Sequence, residues 1–88
     1  MYKLLRIEVS PRKFKKYVAI LRNLNTNRIK QVHFGDSRYQ HYKDRTKLKH
    51  WKHLDHGDRR RLKRFRQRFK NKAKKKFSAA YFAWKYLW

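Results

Sequence analysis

The sequence predicts a small α+β domain: a three-stranded antiparallel sheet followed by two or three helices, the second of them strongly basic. Three observations predict it. Residues 1–35 hold three short runs rich in Val, Ile, Leu and Tyr, broken by Ser10-Pro11 and by an Asn-rich stretch, the pattern of a β-meander. Residues 59–76 read RRRLKRFRQRFKNKAKKK, in which Leu62, Phe65, Phe69 and Ala73 recur at i, i+3, i+7 and i+11, one apolar stripe of a helix. Residues 78–88, SAAYFAWKYLW, open on a capping Ser and carry Trp84 and Trp88 four apart, on one helix side. The chain reads as a single basic domain over 1–88, with the meander in 1–35 and the helical part in 36–88.

Taken in order, residues 2–9 (YKLLRIEV) are the first strand, stopped by Ser10-Pro11. Residues 15–21 (KKYVAIL) are the second, carried by Tyr17, Val18 and Ile20. Asn23 to Asn27 form a turn, because Asn tolerates left-handed backbone and bonds to its own main chain. Residues 28–34 (RIKQVHF) return as the third strand and end at Gly35. Asp36 or Ser37 then caps a helical stretch, SRYQHYKDR, with Tyr39 and Tyr42 three apart. Residues 46–57 read as loop or broken helix. Asp58 caps the basic helix with a charge suited to a helix N-terminus, and Ser78 opens the last helix.

Charge decides the class of partner. The formal net charge of +23 over 88 residues divides into about +10 for residues 1–58 and +13 for residues 59–88, where no acidic residue occurs. Repulsion on that scale works against a compact state, and a polyanion offsets it. The chain nonetheless has fifteen aromatics, core material that disordered basic tails lack. A domain of this size buries only about 60–65% of its unfolded surface, so its stability is marginal without the partner. There is no cysteine, which excludes disulfides and thiolate metal sites. No run approaches the roughly 20 apolar residues of a membrane span, and the apolar start of the chain is too short for a signal peptide. A soluble protein inside a cell or a particle is expected.

The expected partner is nucleic acid. Arg59, Arg60, Arg61, Lys63, Arg64, Arg66, Arg68, Lys70, Lys72, Lys74, Lys75 and Lys76 put twelve cations in eighteen residues to neutralise phosphates. Arg12, Lys13, Lys15 and Lys16 form a second patch near the sheet. Arginine adds paired hydrogen bonds to phosphate that lysine does not make. Tyr39, Tyr42, Trp51, Phe65 and Phe69 are aromatics that can stack on unpaired bases, although Phe65 and Phe69 at helix spacing read first as core.

His50, His53 and His56 recur every three residues beside Asp55 and Asp58, with His33 and His41 upstream. That spacing fits no zinc signature, and a metal nuclease gathers carboxylates that this chain does not have. No catalytic residue, cofactor or metal is therefore expected. Asp55-His56-Gly57-Asp58 reads as a tight turn that caps the basic helix. A basic amphipathic helix can lie on anionic lipid, but this apolar seam is narrow and needed for folding, so no membrane partner is expected.

Tyr17-Val-Ala-Ile after lysines, then Val32-His33-Phe34-Gly35-Asp36-Ser37-Arg38-Tyr39-Gln40-His41-Tyr42, then Leu54-Asp55-His56-Gly57-Asp58-Arg59-Arg60-Arg61, and finally Ser78 to Trp88 come in a fixed order. In that order the chain resembles a family of small basic proteins of nucleocytoplasmic large DNA viruses, the algal and giant viruses. The resemblance implies a viral origin and leaves activity open. Relatives often place a His near the end of the basic helix, where this chain has Arg66-Gln67-Arg68-Phe69, so no catalytic role carries over.

The expected function is non-enzymatic, sequence-nonspecific nucleic-acid binding. DNA is favoured over RNA, in packaging or in the virion, with the protein located in the virion or the infected cell. The alternative is a minor capsid protein that docks by its aromatic C-terminus while the basic helix faces the genome. For that docking, or for self-association, Tyr81, Trp84 and Trp88 are expected to cover the sheet and leave Phe82 and Tyr86 for a second surface.

Overall fold

Strands β1 (Tyr2–Val9), β2 (Lys15–Asn23) and β3 (Ile29–Asp36) form one antiparallel sheet in the order β1-β2-β3. The computed structural model describes residues 1–88 and adds two helices, α1 (Arg59–Ala73) and α2 (Ala79–Tyr86), and a 3-10 turn at Lys52–Leu54. The α+β class and the three strands agree with the sequence reading, with β2 two residues longer and β3 shifted toward Asp36. The turn between β2 and β3 is built by asparagine, as read. The Asn23 side chain accepts from the amides of Asn25 (2.9 Å) and Thr26 (3.3 Å), and Asn27 takes the left-handed φ of 59°.

The register places the core. Tyr17 lies opposite Val9 and Phe34, and Ala19 opposite Ile7 and Val32; a bulge at Leu5 shifts β1 between Leu4 and Arg6. Side chains alternate along a strand, so Tyr17, Ala19 and Leu21 share one face. With Phe34 they meet Phe82 and Leu87 in the main apolar cluster, where the Phe34 and Phe82 rings stack with centroids 5.6 Å apart. As the central strand, β2 is buried along nearly its whole length.

The helices stack outward in two steps. α2 packs on β3, and α1 packs on α2 rather than on the sheet. Asp58 caps α1 by accepting from the amides of Arg60 (2.9 Å) and Arg61 (3.4 Å), and Ser78 caps α2 by accepting from Tyr81 N (3.1 Å). Between the helices the chain reverses at Phe77, whose left-handed φ of 65° is costly for a bulky residue. Its ring is held by Tyr2, Tyr81 and Phe82, with centroids 5.9–6.2 Å away.

Two expectations are corrected here. The stretch SRYQHYKDR is not a helix but a turn followed by irregular chain with one bridge, His41 to Asp55, so the basic helix is the first α-helix and not the second. Its main-chain groups are taken by distant partners. His41 N donates to Leu54 O and His41 O accepts from His56 N, while the amides of Lys43 and Arg45 donate to the carbonyls of Leu87 and Tyr86. These long-range bonds close the end of α2 against the loop, and a local helix would forfeit them.

The second correction concerns the aromatic end. Phe82 is 1% exposed in the core, and Tyr86 is half-buried beside Phe34 and Phe82, so Phe82 offers no surface to a partner. Trp84, expected on the sheet, turns toward α1 instead; Tyr81 and Trp88 do pack against the core cluster, and Trp88 also stacks on Phe65 of α1. Residues 82 and 86 share one side of α2, with 84 and 88 nearly opposite. In a helix aromatic on both sides, only the neighbours decide which side meets the sheet.

Candidate nucleic-acid interface

α1 carries its cations outward because its apolar stripe is anchored. Leu62, Phe65, Phe69 and Ala73 are half-buried, as the periodicity predicts, and no residue of the helix is fully buried. Phe65 stacks on Trp88 with centroids 4.5 Å apart and planes 5° from parallel, and Phe69 lies 4.6 Å from Phe65. Arg66 adds a polar tie: a guanidinium nitrogen donates to Trp88 O at 3.0 Å while the group lies 5.0 Å over the Trp84 ring. Arg61 is likewise half-buried and donates to Gln40 Oε1 at 2.8 Å. Arg59, Arg60, Lys63, Arg64, Arg68, Lys70, Lys72, Lys74, Lys75 and Lys76 are exposed.

Those charges have nothing acidic to pair with. Of 28 Lys and Arg, only Arg6 (with Glu8, 2.9 Å) and Arg38 (with Asp36, 2.8 Å) form salt bridges with carboxylates. The other carboxylates are occupied: Asp44 and Asp55 in buried hydrogen bonds, Asp58 in the α1 cap. The Arg38 guanidinium pulls the Asp36 carboxyl down to about 2, and the amides of Arg61 and Arg60 lower that of Asp58.

Two clefts collect the free cations. The larger, about 800 Å³, lies between α1 and α2. Its floor is Leu62, Ala73, Tyr81 and Trp84, and its rim is Arg59, Lys63, Arg66, Lys70, Lys74 and Lys85. The second, about 460 Å³, lies where the α1–α2 turn meets the sheet. It brings Arg12 and Lys15 of the sheet patch together with Lys75 and Lys76 of the basic segment, beside Lys30, Tyr2 and Phe77. No carboxylate lines either cleft. Arg12 and Lys15, with burial, also hold the His33 imidazole below its ordinary value; that ring bonds Ser10 Oγ at 2.7 Å.

One expected site residue lies elsewhere. Lys13 is exposed with Arg12 and Lys15, but Lys16 is 2% exposed and turned inward, so it contacts no phosphate. Its ammonium donates to His41 Nδ1 at 2.9 Å, and His41 Nε2–H donates to Asp55 Oδ1 at 2.5 Å. Burial brings Lys16 down to about 8, with Asp36, Asp44 and Asp55 opposing the shift. The His41 imidazole is lowered by burial and by Lys16. Alongside, the Tyr17 hydroxyl donates to Asp44, which also accepts from Thr46 N (2.9 Å) and Thr46 Oγ1 (2.6 Å). Burial and that carboxylate push Tyr17 up to about 12.

His41 is fully enclosed, and this relay clamps residues 41–55 to β2. His50, His53 and His56 join no three-donor metal-binding group. The sequence reading missed Lys30 and Lys85; Lys85, four residues after Tyr81 on α2, was the more legible of the two.

Residues 5–46 match the model of a family of unknown function, DUF5754. The match takes in β2, β3 and the buried Lys16, Tyr17, His41, Asp44 and Thr46, and stops short of both helices. No curated protein and no solved structure matches the chain. No helix is long and apolar enough to cross a membrane.

Proposed function

We propose that this protein is a non-enzymatic, sequence-nonspecific nucleic-acid-binding protein that neutralises a phosphate backbone with α1 and the cleft beside it. The observation that carries the reading is the near-total lack of carboxylate partners for 28 Lys and Arg, combined with a helix and its C-terminal extension, residues 59–76, that display ten of them outward. Cations fixed in rows along a helix release counterions when they meet phosphates, and that release supplies affinity without base readout. In the Lys16–His41–Asp55 relay Lys16 and His41 are buried and bonded to each other, which supports a structural role for the relay and a binding role for the surface.

The motif order shared with small basic proteins of large DNA viruses favours DNA, met in genome packaging or in the virion of an infected cell. The capsid-docking alternative loses Phe82 from its proposed pair, because that ring is inside the domain, and keeps only the half-buried Tyr86.

Salt dependence tests the reading. With six to ten phosphate contacts, duplex affinity falls by about 10³–10⁵ between about 50 and 200 mM salt, and scrambled duplexes bind within a few-fold of one another. A flat log–log plot, or a strong preference for one sequence, refutes it.

A further inference from the structure

We propose that the two clefts form one continuous track for an unpaired nucleic-acid strand, with bases stacked on Tyr81 and Trp84 and the backbone held by the cationic rims. This deepens the nucleic-acid reading above and rests on it. The clefts are neighbours: Lys74 lines the first and Lys75 and Lys76 the second, and the Tyr81 ring of the first lies 5.9 Å from the Phe77 ring of the second. Each repeats the same composition: aromatic rings below (Tyr81 and Trp84, then Tyr2 and Phe77), cations around them and no carboxylate. That pairing of stacking rings with a positive groove is what binds single strands, because every base has a π-face and every nucleotide a phosphate.

A duplex keeps its bases stacked inside, so it covers the outward cations of α1 and leaves the floor of the cleft unfilled. The exposed rim residues Arg59, Lys63 and Lys70 of α1 and Lys74 at its C-cap recur at one or two helix turns, about 5–10 Å apart, a row that meets phosphates along one strand. An acidic amphipathic helix is the competing occupant of the first cleft. It would fill the first cleft alone, whereas cations and rings continue into the second, where Arg12, Lys15 and Lys30 of the sheet side join them. A flexible strand spans both.

The experiment compares labelled oligo(dT), oligo(U) and a duplex of equal length on the full chain. Oligo(dT) and oligo(U) should both bind, and a Trp84→Leu variant that retains its circular dichroism should lose about tenfold in their affinity while its duplex affinity moves less than about twofold. Trp84→Phe, which keeps a ring, should recover most of the loss. Because Trp84 also packs near Phe65, a second measurement uses the unaltered protein: photo-crosslinking to 5-iodouridine strands should label Tyr81 or Trp84.

Equal losses for strand and duplex overturn the track, as do cross-links confined to Tyr39 or Tyr42. Binding of a Glu-rich amphipathic peptide in place of oligo(dT) also overturns it. Duplex binding with no single-strand binding defeats the track and leaves the broader reading standing; absence of all three kinds of binding defeats both.

Discussion

Replacing Phe65 by Ala tests whether the stack on Trp88 is what holds the basic helix in place. α1 packs on α2 and has no fully buried residue, so its attachment rests on a few half-buried side chains. A fully buried Phe→Ala change costs about 3–5 kcal/mol, and a half-buried ring therefore about 2. Loss of the parallel stack at 4.5 Å adds about 0.5–1.5 kcal/mol, and the better helix propensity of Ala returns a few tenths. The net expectation is about 2–3 kcal/mol, or about 10–20 °C in melting temperature for a domain of this size. Urea unfolding followed by circular dichroism gives the number, and amide hydrogen exchange gives the place. Protection in α1 should fall more than in β2, because the lesion lies in the outer layer. A stability change below about 0.5 kcal/mol would show that α1 is held some other way and refute the packing argument.

Other perturbations reach the remaining layers. Gly35→Ala should destabilise by about 2 kcal/mol or more, measured by urea midpoint: φ is +77° there, and a Cβ would lie 2.7 Å from Leu87 Cδ1 and 3.1 Å from Lys16 Cδ. Asp44→Asn should cost about 2–3 kcal/mol by the same measurement, since the amide cannot accept all the bonds that Tyr17, Thr46 and Trp51 now donate to the carboxylate. His33, His41 and His56 are all held below 6.5, chiefly by burial, so the unfolded chain takes up protons first as pH falls through 6.5. Their contribution to stability is thus present above that pH and lost below it; the urea midpoint should drop from about pH 7.5 to about pH 5.5, and a flat profile would count against their burial. Lys63→Gln with Lys70→Gln should lower the slope of duplex affinity against salt by about 1.8 log units at unchanged melting temperature; an unchanged slope would remove both residues from the interface.

Much of the fold was legible in the sequence because its signals are local. The strands follow β-branched and aromatic runs, Asn23 builds its turn from its own side chain, and Asp58 and Ser78 cap the helices they precede. The stripe Leu62–Phe65–Phe69–Ala73 marked the inner side of α1, and the missing carboxylates after Asp58 marked its outer side. Periodicity and charge belong to the chain itself, so the sequence determined a basic amphipathic helix following a small sheet, and through it the kind of partner proposed.

Tertiary structure decided what depends on distant neighbours. Lys16 looks like the third lysine of a surface run until β3 and residues 41–55 close over it and give it His41 as a partner. The stretch 37–45 has caps and tyrosines suited to a helix, yet its main chain gains more from the end of α2 and from residues 54–57. Phe82 and Trp84 sit two apart in an aromatic helix, and only the stacking order of sheet, α2 and α1 sends one to the core and the other to a cationic cleft. The joining of Arg12 and Lys15 to Lys75 and Lys76, some sixty residues apart, is likewise a product of folding. Local propensity reaches only a few residues, whereas burial and long-range hydrogen bonds are settled by whatever the rest of the chain brings alongside.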